Sequence, residues 1–540
     1  MFKTQFDKET KLWKGRDSLP LYNPKISLAQ VFFRTCLNFG PKIAQISDDS
    51  GIQLTYDELR MKTIRAAQNL QKRGYRSKQV FGVLAKNSHH LAPIVFASLA
   101  IGSAVNTLDP TFGKTELLHM LKTIKPALIF CDVEACDLVK VCLNELNNDA
   151  KIFTFGGSTD DSEQVENLFV ETHNESKFVP VQIDGENDTA AIVCSSGTTG
   201  SSKGVCLSHA ALLDCAESFY AITTNDVLLS FSSLYWISGW FVLLTGIING
   251  ATRVITTEPY SPEVHLRLIE QYKVTFSKNA PHHLAMILKS ERLDHTNLSS
   301  LNILAVTGGK CSLNVQNEIN ARLPNGKVFA VYGLSESAGP MTCSLGNTDS
   351  VGQLVSFFTI KIIDEDGKRC GVGENGEVCF KTNYTFLGYY DNQKATDEAF
   401  DVEGYFLTAD IGHFDEDGNL FIVDRRKDII KYCGYQISPS QIESYLVGVA
   451  GVKAVCLIGI ASDMGTDLPT AFVVRNEESN ITEADVIKLV DDHFADYCKL
   501  RGGVYFVESL PMTPSGKILR RKVREMASNL KNRSLQPNNK

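Results

Sequence analysis

The sequence predicts an α/β protein: a large N-terminal domain of layered, mostly parallel β-sheets and helices, followed by a small α+β C-terminal domain. Three observations carry this. The chain has 540 residues, 43% apolar and 21% charged, enough for more than one core and ordinary for a globular protein. Short apolar runs alternate with helix-like stretches, as buried parallel strands and their crossover helices do. After Gly352 this alternation gives way to strand–turn–strand signals.

Taken in order, residues 42–47, 80–85, 127–132 and 190–196 read as buried strands. Residues 56–74 and 115–124 between them have apolar positions at helical spacing. The stretches 91–108 and 236–251 are apolar, but each is interrupted by Pro, Ser, Gly or Asn and is no longer than a minimal membrane span. Both are expected as buried helices beside a sheet. From residue 438, Ser438-Pro439-Ser440-Gln441 has the form of a helix start, with a capping serine, proline at the first helical position and Gln441 three residues on. Strands at 453–460 and 470–475 and a helix at 482–497 complete a unit of about 115 residues, an ordinary domain size. The expected domains are 1–424 and 425–540.

The formal net charge of −8 argues against a broad nucleic-acid surface. The 11 histidines and 14 cysteines are scattered without a C-x-x-C pair, so a zinc cluster is not expected. The cysteines are expected reduced and buried. The N-terminus lacks the apolar core of a signal peptide, and the C-terminus lacks a Ser-Lys-Leu address. The expectation is an intracellular protein, cytoplasmic or peroxisomal, with no transmembrane segment.

The sharpest local signal is Ser195-Ser196-Gly197-Thr198-Thr199-Gly200-Ser201-Ser202-Lys203-Gly204, directly after an apolar strand. Its glycines permit close backbone approach. Its hydroxyls and successive N–H groups can cradle phosphate oxygens, and Lys203 adds positive charge. It is not a Walker A loop, because Lys203 precedes Gly204 and no Gly-Lys-Ser/Thr follows a four-residue gap.

With this loop, the segments Thr307–Ser312 (TGGKCS), Tyr332–Glu336 (YGLSE), Gly404–Glu443 and Pro514–Arg521 (PSGKILRR) resemble, in order and spacing, the acyl-adenylate-forming superfamily. The likeness leans towards its luciferase-like and coumarate-ligase-like acyl-CoA synthetases. It implies an ATP-dependent acid–thiol ligase that makes an acyl-AMP, releases pyrophosphate and then forms an acyl-CoA, with ATP, magnesium and coenzyme A as cofactors. It also implies that the C-terminal domain is mobile and pivots at Lys427. By resemblance, Thr198, Thr199 and Lys203 hold the β- and γ-phosphates. Gly308 and Gly309 form a backbone strip beside adenine, Tyr332 and Gly333 lie at the adenine ring, and Ser335 touches the α-phosphate. Glu336 binds magnesium, a hard cation suited to carboxylate and phosphate oxygens. Asp410 and Arg425 contact the ribose. Lys517 serves the first half-reaction and Lys431 the second, with Gly434–Gln436 entering beside it. Cys433 stands where relatives commonly carry a second lysine.

The acid pocket is expected from residues 233–240, the turn at Thr307–Ser312 with Lys310, and the segment after Glu336. Tyr235, Trp236 and Trp240 give it an apolar tone that suits a fatty or aromatic acid. Luciferases carry a His-His pair where this chain has Tyr235-Trp236, which weighs against luciferin oxidation. A luciferase-like oxygenase and an inactive nucleotide-binding homologue are the alternatives.

Overall fold

The computed structural model describes residues 3–17, 19–195, 203–217, 222–344, 346, 348–426, 428–432, 435–462, 467–477, 479–512 and 518–534. The chain packs as two compact units. The first comprises Met1–Phe6, Trp13–Thr359 and Lys381–Phe406; the second comprises Asp7–Leu12, Ile360–Phe380 and Leu407–Lys540.

The first unit is built on an eight-stranded and a nine-stranded sheet. The segments that matter for function are β1 (Thr189–Ser195), β2 (Lys203–Ser208), β3 (Val227–Ser230), α1 (Ile237–Ile248), β4 (Phe276–Asn279), β5 (Ile303–Val306), β6 (Lys327–Leu334), β7 (Gly339–Cys343) and β8 (Gly388–Tyr389). In the eight-stranded sheet, β1 lies parallel to Ala104–Thr107 and antiparallel to β2, which carries β8 at the edge. In the nine-stranded sheet β3, β4, β5 and β6 are parallel neighbours, and β7 returns antiparallel to β6. The expected strands appear as Ile43–Ser47, Val80–Leu84, Leu128–Asp132 and β1. Helix Tyr56–Lys72 starts in a full capping box between Thr55 and Glu58. Neither apolar stretch is a membrane span. The first is the wholly buried helix Leu91–Ala100 followed by strand Ala104–Thr107, and the second is α1. No helix among the described residues is long and apolar enough to cross a membrane. Every cysteine among them is free and buried.

The second unit contains β9 (Phe406–Phe414) and β10 (Leu420–Arg425), next to Gly376–Lys381 and Thr359–Ile363 in a sheet. It also holds the antiparallel pair Val452–Ala461 and Asp467–Arg475, with helices Pro439–Val447, Glu483–His493 and Arg520–Ser534. Proline opens the first helix as expected, but Ser438 makes no side-chain cap. Its hydroxyl donates to the Val423 carbonyl and the Asp424 carboxylate instead, each at 3.1 Å. The Asp424 carboxylate of β10 takes over the capping role, accepting the Ser440 N–H at 3.0 Å. Arg520 lies at the start of the last helix. Its guanidinium donates to Glu443 at 2.7 Å and to the Leu457 carbonyl at 2.7 Å. That anchors the segment immediately after Lys517 to the core of this unit.

Candidate active site

Register explains why a cavity forms over the nine-stranded sheet. Lys278 of β4 pairs with Ser230 of β3 and Ala305 of β5, and Ala305 pairs with Phe329 of β6. Side chains alternate between the faces of a strand. Phe276 and Lys278, Ala305 and Thr307, and Val331 and Gly333 therefore share one face, and all six line a single cavity. Helix α1 covers it with Ile237, Ser238 and Phe241. The opposite face is core. Leu304 and Val306 pack into an aliphatic cluster, and Ser277 hydrogen-bonds His265 at 2.8 Å. The cavity sits at the carboxyl ends of parallel strands, where open α/β sheets take ligands.

Two glycines at its rim have physical reasons. Gly308 has φ +91, and a Cβ there would meet nothing within 4 Å, leaving the exposed backbone of Gly308, Gly309 and Lys310 open to a flat ligand. A Cβ on Gly333 would lie 2.1 Å from the Gly339 carbonyl oxygen. Only glycine lets β6 and β7 run this close beside the cavity.

Glu336 follows β6 and is 9% exposed. Its carboxylate accepts the Tyr389 hydroxyl at 2.9 Å. The Lys203 ammonium stands 4.7 Å from the centroid of the same Tyr389 ring, within cation–π range. Burial, and then the Glu336 charge, push the Tyr389 phenol well above its usual value, so it remains a donor. One tyrosine thus ties the end of the phosphate loop to the carboxylate expected to hold magnesium. The donor chemistry at Glu336, a carboxylate oxygen held by a hydroxyl, fits that hard cation. Ser195 of β1 pairs in register with Lys203 of β2. Ser196, Gly197, Thr198, Thr199 and Gly200 themselves lie outside the described residues. Tyr332 and Ser335 are half-buried and flank Gly333 and Glu336.

In the second unit, Asp410 of β9 and Arg425 of β10 are register partners, with Nε of the arginine 3.0 Å from the carboxylate. Asp410 is 3% exposed. Lys431 lies in strand Ile430–Tyr432, opposite Gln436. Lys427, Cys433, Gly434 and Lys517 lie outside the described residues.

The aromatic candidates divide. Trp240 is wholly enclosed and donates its indole N–H to Thr107 at 3.4 Å. Tyr235 is 6% exposed and packs edge-on against Phe112 and Trp236. Trp236 is half-buried against the same cluster. From the expected 233–240 segment Ile237 and Ser238 line the described cavity, with Phe241 one turn further on, while the Trp240 indole is directed to Thr107. Ser238 lies within the 233–240 segment expected to form the pocket, whereas Lys278 and Tyr389 are not evident from the sequence.

Comparison with known proteins decides the family. The profile of AMP-binding enzymes matches residues 32–390, and that of the AMP-binding enzyme C-terminal domain matches residues 441–517. The chain belongs to the AMP-binding enzymes, the acyl-adenylate-forming superfamily. It is similar to a probable 4-coumarate–CoA ligase of Dictyostelium discoideum, at 31% identity over 85% of this chain and 88% of that protein. It is also similar to the luciferin 4-monooxygenase of Photinus pyralis, at 30% identity over 88% of this chain and 89% of that one. In fold it resembles the crystal structure of an anthranilate–CoA ligase with anthranoyl-AMP, with TM-score 0.85 and 21% identity over 94% of this chain and 98% of that chain.

Proposed function

We propose that this chain is an AMP-forming acid–CoA ligase whose acid is apolar along most of its length. Ligation through an acyl-adenylate follows from the family. The nature of the acid rests on one observation: a cavity at the carboxyl ends of β4, β5 and β6 whose wall is largely hydrocarbon.

In the first half-reaction a carboxylate oxygen attacks the α-phosphorus of ATP, and the bond to pyrophosphate breaks. Two anions must meet, at a Coulomb cost that is large where water is excluded. The catalytic contribution is therefore positioning and charge stabilisation, not covalent chemistry. Lys203 and the hydroxyl-rich loop hold the β- and γ-phosphates, Lys517 bridges the carboxylate and the α-phosphate, and Glu336 holds magnesium. The exposed Gly308–Gly309 backbone and Tyr332 take the adenine, and Asp410 with Arg425 takes the ribose. In the second half-reaction the thiol of coenzyme A attacks the acyl carbon and AMP leaves. The C-terminal domain, from residue 425, turns about Lys427 and exchanges Lys517 for Lys431.

Two substitutions test this division. Lys517→Ala abolishes acid-dependent ATP–pyrophosphate exchange and spares thioester formation from a supplied acyl-adenylate. Lys431→Ala does the reverse. Equal loss of both steps in either variant contradicts the assignment. Light from luciferin, ATP and oxygen would favour the oxygenase alternative that the Photinus relative raises.

A further inference from the structure

Along the apolar wall of the cavity, Lys278 stands out. It lies in register between Ser230 and Ala305 and faces the void with Phe276. Its ammonium donates to the Ser232 hydroxyl at 3.0 Å. Ser238, which also lines the cavity, donates to the same hydroxyl at 3.2 Å. Asn87 holds the Ser232 carbonyl at 3.0 Å, so this polar corner is built rather than loose.

Among the described residues Lys278 has no carboxylate partner. Burial pushes its ammonium down to about 8, which leaves it mostly charged at neutral pH. The neighbouring imidazole of His282 is pushed down by burial first and then by the charge of Lys278, and that of His283 is lowered to about 2. Neither supplies a counter-charge. A lysine with a purely structural role sends its ammonium to bulk water along its own stem; this one is held at the cavity wall by a neutral hydroxyl. Filling the cavity with a plain hydrocarbon tail would bury that charge unpaired, at considerable cost. An anion at the same place would pair with it and keep the two serine hydroxyls satisfied.

We propose that Lys278 receives a second carboxylate at the far end of the acid, so that the substrate is a dicarboxylic acid with an apolar middle. This rests on the acid–CoA ligase reading given above. Ile237, Phe241, Phe276 and Val331 contact the middle of such an acid, and Ser238 supplies a further hydrogen bond to its distal carboxylate. The reacting carboxylate lies at the Thr307–Gly308 rim.

The test uses the purified full chain with ATP, magnesium and coenzyme A. Pyrophosphate release is followed with matched acids: adipic against hexanoic, suberic against octanoic, and terephthalic against benzoic. The expected result is a kcat/KM at least about tenfold higher for the diacid of at least one pair, since a site built for a polar group rejects the analogue lacking it. Lys278→Met lowers diacid turnover at least about tenfold, mainly through KM, and leaves or improves turnover of the monoacid. Lys278→Arg retains the diacid preference. Monoacids used as well as or better than every matched diacid would overturn the inference while leaving the ligase intact. Equal loss on both acids in Lys278→Met, with Lys278→Arg no better, would also overturn it. No pyrophosphate from any acid of either class would overturn both this inference and the ligase reading beneath it.

Discussion

Tyr389 connects groups that lie far apart in the chain. Its hydroxyl holds Glu336 at 2.9 Å and its ring lies 4.7 Å from the Lys203 ammonium. A hydrogen bond that orients a metal-binding carboxylate commonly tunes metal affinity by tenfold or more. Tyr389→Phe is therefore expected to raise the magnesium concentration for half-maximal pyrophosphate exchange about tenfold, with the melting temperature little changed. An unchanged magnesium dependence would remove Tyr389 from the site. Glu336 was legible in the sequence because it ends a distinctive run, Tyr332 to Glu336. Tyr389 was not, because it is one aromatic in a two-residue strand whose partner, β2, lies far back in the chain. Lys278 escaped for a similar reason: the pairings with Ser230 and Ala305 that turn it into the cavity are long-range.

Among the elements, β6 and β7 carry the tightest constraint on the site. Gly333 stands where a Cβ would collide with the Gly339 carbonyl oxygen at 2.1 Å. That neighbour is backbone, so the strands themselves must shift. Gly333→Ala is expected to cost roughly 1–3 kcal/mol of stability and to lose acid-dependent exchange more severely than ATP binding, measured by thermal melts and calorimetric titration. Normal exchange in a variant of normal stability would contradict the proximity argument. Strand and helix positions in the first unit were largely legible, because each buried strand is a continuous apolar run and each helix keeps its period. What failed was local. Ser438 was read as a helix cap, yet tertiary structure brought Asp424 within reach and the hydroxyl went there. Trp240, expected in the pocket because the stretch around it is apolar, lies on α1 with its indole N–H on Thr107, a long-range contact that no local pattern shows.

For the molecule as a whole, one buried pair sets a pH dependence unrelated to the chemistry. Burial, followed by the charge of Glu217, raises the Asp214 carboxyl to about 7, and among the described residues its Oδ2 has no hydrogen-bond partner. The folded chain then keeps a proton that the unfolded chain releases near the ordinary value of 3.8. Stability contributed by this group is present at low pH, declines as pH rises from about 4 to about 7, and is level above that. Asp214→Asn removes the cost, so it should raise the melting temperature by about 1–2 °C at pH 8, with the gain vanishing near pH 4. An equal gain at both values would rule out ionisation as its source. At this scale the α/β architecture was legible from alternation alone, and the chemistry from five motifs in order. An apolar acid was suggested by the tone of residues 233–240, but the polar corner at Lys278 was not legible, since the cavity is assembled from strands that meet only in the fold. The central claim is that the acid is activated as an adenylate before any thiol is involved. Isotope exchange between ATP and labelled pyrophosphate, measured with acid and magnesium but without coenzyme A, tests it most directly. The account predicts acid-dependent exchange under those conditions, with AMP as the nucleotide product once coenzyme A is added. Exchange that requires coenzyme A, or formation of ADP and phosphate, would contradict it.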